Sequence, residues 1–328
     1  MRGSGLDGTA DRQLLGNEPH PLYYSPILNS FPGKGTVSVN KPRLLITGAS
    51  GQLGRLVIEH LRRLNPGADI TAMVRTPQAA DELAPFRVSA RIGDYTDPAS
   101  LDAALTGIDR LLLISSSAVL GQRAAHHKNV IDAATRAKVS LIAYTSILRA
   151  DTSELSFAAE HLATEKMLRE SGLPFVILRN GMYLENDTAM LEPEVARGAI
   201  IGSAGDGRLS SASRSNYAEA AALVLLRGAP AGSIYELAGD EAFTLTQLAA
   251  AVSQRTGKMV PYRNMSEADF RAALVGMGLP DAMATMLAET SAGTAKGALE
   301  DHGHVLSRLI GHSTTSLVDA VAAVVQSG

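Results

Sequence analysis

RLLITGASGQLGRLVIEHLRRL, Arg43 to Leu64, runs from a short apolar segment through a glycine-containing turn into an amphipathic segment. Leu53, Leu56, Val57, Leu61 and Leu64 recur at helical spacing, so the glycines fall between a predicted strand and a predicted helix. That is the setting a dinucleotide-binding turn requires. Gly48 permits the tight turn, Gly51 lets backbone approach a pyrophosphate, and Gly54 lets the helix pack closely on the strand. The helix N-terminus would face the phosphates. The spacing is G-x-x-G-x-x-G, not G-x-G-x-x-G. Glycines alone would equally suit a structural strand-turn-helix, and it is the context that favours nucleotide binding.

Outward from this unit, DITAMVR (Asp69–Arg75) reads as a second strand. An NAD-selective site ends that strand with Asp or Glu, for the ribose 2′-hydroxyl. Here the end is Arg75, whose guanidinium suits a 2′-phosphate through paired, charge-assisted hydrogen bonds. The expectation is NADP(H), against the plain alternative of a solvated arginine at a strand end. Asp69 begins the strand and is too early for the ribose. Further strands are predicted at Arg87–Tyr95, Arg110–Ser117, Ser140–Ile147 and Pro174–Asn180, with helices around Pro98–Leu105, Gln122–Ala137 and Leu155–Ser171. This alternation predicts an α/β fold with a Rossmann-type, doubly wound parallel sheet. Ligands of such sheets bind beyond the carboxyl ends of the strands. Asp94, Tyr95, Ser115, Ser116, Ser146, Asn180 and Tyr183 fall there. Singly, each could be a loop residue that satisfies backbone groups; the topology brings the set to one rim.

After Asn186 the pattern loosens. A helix over Ser213–Gly228 and a strand over Ser233–Gly239 are followed by helices at Leu245–Thr256, Ser266–Gly276, Pro280–Thr290 and Ser316–Gln326. Ser266-Glu-Ala-Asp269 opens its helix with a capping-box-like pattern. The expected division is an NADP-binding Rossmann domain over 41–186 and a smaller, mostly helical, substrate-side lobe over 187–328 that shares strands with the sheet. Residues 1–40 are rich in Gly, Pro, Asn and Ser, without a period, and read as a disordered or loosely packed extension. Met1-Arg-Gly-Ser4 resembles an expression leader. A start at Val37 or Val39 is an alternative, because Gly33-Lys34-Gly35 can be encoded by a ribosome-site-like purine run.

The 328 residues carry 30 basic and 33 acidic side chains, so no basic footprint points to nucleic acid. No run of ~18 apolar residues predicts a membrane span, and no secretory h-region or twin-arginine pair is present. A cytoplasmic protein acting on a small molecule is expected. The absence of cysteine excludes disulfides, thiolate nucleophiles and cysteine-based zinc sites. His126-His127 and His302-Gly-His304 are metal ligands on paper only: adjacent helix residues diverge, and no acidic partner has suitable spacing. No metal is expected.

TGASGQLG, VRTP, GDY, LLLISSS, GQRAAHHKNVIDAA, AYTSIL, EHLATEKML and LRNGMYLEN come in the order seen in NmrA-like atypical short-chain dehydrogenases/reductases. With ELAGD, LTQLAA, SEADF, GLP and LIGH, the run from Leu44 to about Val324 resembles the bacterial type-2 NAD(P)H:quinone oxidoreductases in particular. The resemblance implies a Rossmann domain with a small C-terminal lobe, use of NADPH and two-electron reduction of quinones or similar aromatic acceptors. It would line the cofactor cleft with Gly48 to Gly54, including Ser50, Gln52 and Leu53, and with Arg75, Ser115, Ser116, Tyr144, Thr145, Ser146, Arg179, Asn180, Gly181 and Tyr183. A related branch reduces triphenylmethane dyes, and another binds NADP(H) as a regulator with little or no catalysis. The resemblance also permits a homodimer.

Phe157–Gly181 covers the place where dehydrogenases of this layout carry a Tyr-x-x-x-Lys pair. Here His161 takes the tyrosine position and Glu165 stands four residues on. No tyrosine of the chain is followed four positions later by lysine, and Lys166 is turned ~140° from His161 around the helix. A ketone reduced by hydride leaves an alkoxide, for which a placed acid contributes ~10²–10⁴-fold. A quinone leaves a delocalised phenolate whose conjugate acid titrates near ~10, like tyrosine, and solvent can protonate it. The expectation is therefore an acid-free hydride transfer. Tyr144, Asn180, Tyr183 and His161 are the candidate catalytic residues. For His161 the plain alternative is a helix-surface pair with Glu165; for Asn180 and Tyr183 it is capping of the loop.

Overall fold

A computed structural model describes residues 41–118 and 121–325; the extension expected over 1–40 lies outside them. The first half alternates as predicted, with one further short helix, α2: β1 (Arg43–Ile46), α1 (Gln52–Leu64), β2 (Asp69–Val74), α2 (Pro77–Asp81), β3 (Ser89–Ile92), α3 (Pro98–Leu105), β4 (Arg110–Leu113), α4 (Arg123–Ala137), β5 (Leu141–Ile147), α5 (Ala158–Glu170) and β6 (Phe175–Asn180). The second half holds α6 (Leu184–Thr188), α7 (Leu191–Arg197), β7 (Ile200–Gly202), β8 (Arg208–Leu209), α8 (Arg214–Arg227), β9 (Ser233–Leu237) and β10 (Phe243–Thr244). It continues with α9 (Leu245–Thr256), β11 (Tyr262–Asn264), α10 (Glu267–Gly276), α11 (Asp281–Ala295), α12 (Val305–Ile310) and α13 (Leu317–Val324).

The main sheet is parallel, in the order β3-β2-β1-β4-β5-β6-β9. Its central strands are apolar because both faces are covered. On one face, Leu44, Ile46, Leu112, Ala143 and Leu178 pack under α1, α8 and α12. On the other, Leu45, Leu111, Leu113, Ile142 and Ile177 pack under α3, α4 and α5. A third core, with Leu155, Leu191, Phe243, Leu248 and Val321, fills the lobe. The strand order reverses between β1 and β4, and such a switch point opens a crevice at the carboxyl ends of the strands.

The predicted strands that fall furthest short of their sequence patterns are β3 and β4. β3 stops at Ile92 and is largely exposed, as an edge strand. β4 stops at Leu113 because the next three amides leave the ladder for side chains. Ile114 N–H donates to Thr47 Oγ1 (2.9 Å), Ser115 N–H to Thr145 Oγ1 (2.9 Å) and Ser116 N–H to His127 Nε2 (2.8 Å). Those bonds splay the chain open at the crevice. At α10, Ser266 Oγ accepts from Asp269 N–H (3.1 Å) but is met by the Asp269 carboxylate (2.7 Å), so the predicted box is not closed. The closed box is Thr244 with Gln247 at α9.

Candidate cofactor and acceptor site

The glycine turn follows directly from local sterics. Gly48 has φ +57°, a left-handed conformation that non-glycine residues rarely adopt. At Gly54 an added Cβ would lie 2.3 Å from the Gly48 carbonyl oxygen and 2.7 Å from Ala49 Cα, so only glycine lets α1 sit this close to the turn. Gly51 is the N-cap of α1 and offers no side chain to its amides, and the first turn holds no acidic residue. The positive end of the helix dipole is thus left free for an anion. Gly48, Gly51 and Gln52 are exposed, whereas Leu53 is buried in the core. Arg75 is exposed at the end of β2, near enough to Asp94 to help hold that carboxyl below its usual range, after the larger effect of the Thr96 amide and hydroxyl. A guanidinium and an open helix end on one rim fit a phosphorylated dinucleotide.

Beneath the rim, polar side chains are fixed by one another. Thr47 Oγ1 donates to the Leu112 carbonyl (3.1 Å). The Tyr95 hydroxyl, far above its ordinary pKa through burial, donates to the Ile114 carbonyl (2.8 Å). His127 Nε2 accepts an amide proton, so Nδ1 carries the ring proton and donates to Thr164 Oγ1 (2.8 Å). Burial lowers this imidazole to about 3, which keeps it neutral. His126 turns the other way, to Ser116 Oγ (3.1 Å).

The α5 face departs from the surface pair that the spacing allows. His161 and Glu165 are 5% and 0% exposed, and they do not pair with each other. His161 Nδ1 meets the hydroxyl of fully buried Tyr144 at 2.8 Å. Glu165 accepts from the Ser146 hydroxyl (2.7 Å) and takes both Nε (2.8 Å) and Nη2 (2.7 Å) of Arg179. Arg179 Nη1 reaches Glu236 (2.7 Å) and Asp151 (2.9 Å). Arg179 is 1% exposed, and its guanidinium points at these carboxylates rather than out of the sheet. Lys166 is exposed and pairs with Glu170.

At the end of β6, Asn180 is 6% exposed, and its Oδ1 is buried without a hydrogen-bond partner among the described residues. Tyr183 stacks edge-on against Tyr217 at 5.4 Å and lies under the Arg214 guanidinium at 4.6 Å. Asp187 Oδ2 and Ser211 Oγ are buried there too, and burial, only partly offset by the neighbouring Ser211 hydroxyl, raises the Asp187 carboxyl to about 7. Sequence reasoning missed Thr47, His127, Asp187, Arg214 and Tyr217. Only Thr47, next to the glycine turn, carried a local signal. A cleft of about 500 Å³ lies elsewhere, between the β5–α5 loop and α11, lined among others by Arg149, Leu155, Glu289 and Lys296. None of the predicted site residues lines it.

A doubly wound sheet with an open helix end at its switch point defines a dinucleotide-binding protein. The chain belongs to the NAD(P)H-binding family, whose model matches residues 48–226. It is similar to Escherichia coli (strain K12) quinone oxidoreductase 2, with 52% identity over 85% of this chain and 97% of that protein. The crystal structure of the E. coli NADPH-dependent quinone oxidoreductase complexed with NADPH superposes with a TM-score of 0.83, covering 85% of this chain and 99% of that one. Citrobacter sp. triphenylmethane reductase complexed with NADP(H) is 35% identical, with a TM-score of 0.83 over 86% of this chain and 100% of that one. Among the described residues, no helix is long and apolar enough to cross a membrane.

Proposed function

We propose that the chain reduces quinones to hydroquinones with NADPH, by two-electron hydride transfer that needs no Tyr-x-x-x-Lys acid. The observation that carries this reading is the state of α5. Where a proton-delivering pair would stand, a neutral buried imidazole and a carboxylate locked to Arg179 stand instead. Such a site suits an acceptor whose product anion is a stable phenolate. The likeness to a quinone oxidoreductase along 97% of that protein's length supports the same acceptor class.

When bound, NADPH supplies the hydride. The chain's own residues bind and orient. Gly48 to Gly54 and the amides opening α1 receive the pyrophosphate, and Arg75 receives the 2′-phosphate. Asp94, Tyr95, Ser115 and Ser116 border the cofactor, and Thr145, Ser146, Asn180, Gly181 and Tyr183 border its reactive end. Residues 41–186 form the cofactor domain, and 187–328 the smaller lobe, which shares β9 with the main sheet and covers the acceptor. The reading includes a cytoplasmic location and is compatible with a homodimer.

The test is NADPH consumption by purified protein, followed by absorbance with a benzoquinone, a naphthoquinone, a triarylmethane dye and a simple ketone, and repeated with NADH. Quinone turnover without ketone turnover, faster with NADPH, is the expected result. Tight NADPH binding with no turnover of any acceptor would overturn it in favour of an NADP(H) sensor. A second reading, reduction of triarylmethane dyes, is favoured by the full-length likeness to the Citrobacter enzyme. It requires the dye to be the better acceptor in the same panel.

A further inference from the structure

Nothing so far assigned uses the free end of the Tyr144–His161 pair. Four rings form a ladder under the rim: Tyr95 to His127 at 6.3 Å, His127 to Tyr144 at 5.3 Å and Tyr144 to His161 at 6.0 Å between centroids. The Tyr95 end is anchored on Ile114, and His127 is held at both nitrogens. His161 is held at one. Its Nδ1 meets Tyr144, whereas Nε2 has no hydrogen-bond partner among the described residues and is not one of their fully buried unpaired atoms. The preceding residue ties the start of α5 to the neighbouring loop. Glu160 Oε1 accepts from the amides of Gly121 and Arg123, both at 3.0 Å, which closes the first turn of α5 against the β4–α4 loop. That loop leaves the sheet at the crevice, beside Ser115 and Ser116.

We propose that His161 holds the oxygen of the hydride acceptor through Nε2–H, with Tyr144 as the positioning residue that fixes the imidazole's tautomer and plane. The inference rests on the quinone reductase reading and deepens it. The Tyr144 hydroxyl donates to Nδ1, which leaves the ring proton on Nε2. Burial, aided by Arg123, lowers His161 to about 3, so the ring stays neutral and acts as a hydrogen-bond donor, not as an acid. The hydride brings two electrons and one proton to the quinone, leaving NADP⁺ and a hydroquinone monoanion. His161 stabilises that oxyanion and keeps its own proton; water supplies the second proton of the product. A cationic triarylmethane dye takes hydride at carbon and loses its charge, which gives His161 no oxyanion to hold. The residue therefore favours acceptors that gain charge on oxygen.

The experiment compares the parent, His161→Phe and His161→Gln on a naphthoquinone and a triarylmethane dye, with NADPH affinity measured separately by fluorescence titration. Loss of one hydrogen bond to a charged oxygen predicts a fall of about 10- to 100-fold in quinone kcat/KM for the Phe variant. The ratio of quinone to dye turnover should fall with it, and Gln, which keeps an N–H donor, should restore most of the ratio. Nitrogen NMR of the parent's imidazole should show the Nε2-protonated tautomer, with that signal moving when hydroquinone is added. Equal losses on quinone and dye, or an Nδ1-protonated ring, would overturn the proposal. The NMR result decides it even where the variants fold poorly. A parent that reduces no quinone defeats the proposed function itself, which the parent alone reveals.

Discussion

Replacing Arg179 by Met should destabilise the protein strongly, and more at high pH than at low pH. The guanidinium is 1% exposed and makes four hydrogen bonds of 2.7–2.9 Å to three carboxylates, one of them fully buried. Removing one member of a buried ion pair costs about 3–5 kcal/mol, because the partner is left as an uncompensated charge. Glu165 would keep the Ser146 hydroxyl at 2.7 Å and, as its one remaining cation, half-exposed Arg169 at 3.0 Å, and Glu236 only the Arg149 amide at 2.8 Å. For a chain of this size, roughly 5–15 °C of melting temperature should be lost. The sign of the pH effect follows from Glu236. Burial already pushes its carboxyl up, and Arg179 is among the groups pulling it down. Without Arg179 the folded state would hold that proton still more tightly. An acid whose folded pKa lies above its unfolded one destabilises progressively as pH rises between the two. The defect should therefore be larger at pH 8 than at pH 5.5, read by denaturant titration at both. Arg179→Met/Glu165→Met should recover part of the loss, since an apolar pair replaces a broken ionic one. A pH-independent loss, or one under about 1 kcal/mol, would refute the reasoning and reduce the cluster to packing.

Three further outcomes are expected. Gly54→Ala puts a methyl 2.3 Å from backbone oxygen; the turn must shift, stability should fall by about 1–3 kcal/mol, and NADPH titration should show weakened binding. Arg75→Ala should lower NADPH affinity by about 10- to 100-fold and leave NADH affinity nearly unchanged; equal effects on both would remove Arg75 from the 2′-phosphate. Asp187, whose folded carboxyl titrates near 7 rather than 3.8, makes stability fall as pH rises between those values. Asp187→Asn should flatten that slope, leaving the part due to the other raised carboxyls of Glu194 and Glu236, and, allowing for partial exposure, gain ~2 kcal/mol at pH 8; an unchanged slope in urea titrations would contradict the assignment.

Most of the sheet was legible in the sequence because its central strands are buried on both faces and most flanking helices on one, which leaves period and punctuation to mark them. The strand-turn-helix of Arg43–Leu64 needed no tertiary information, and Gly54 is required there by contacts only a few residues away. The short pieces of the lobe, such as β8 and β10, hold two residues each and present no period to detect. The loop after β4 read as strand because its residues are apolar or small, while the side chains that take its amides come from β5 and α4, far along the chain. His161 and Glu165 do share a helix face, as spacing requires, but spacing does not say what covers that face. Tyr144 lies 17 residues before His161, and Arg179 lies 14 after Glu165.

The same contacts join the fold to the chemistry. A carboxylate at the lysine position of a Tyr-x-x-x-Lys layout is untenable in a buried site unless a cation meets it. Arg179 supplies that cation, but a buried guanidinium needs more than one carboxylate, and Glu236 on β9 and Asp151 after β5 complete it. Arg149 then extends the set into the lobe, donating its amide to Glu236 and its side chain to the Gly297 and Glu300 carbonyls. The face of α5 that could deliver protons thereby fastens β5, β6 and β9 together and ties them to the segment after α11. Once that face is committed to structure, the reaction has to be one that does not ask it for a proton. Quinone reduction meets that condition, and ketone reduction does not.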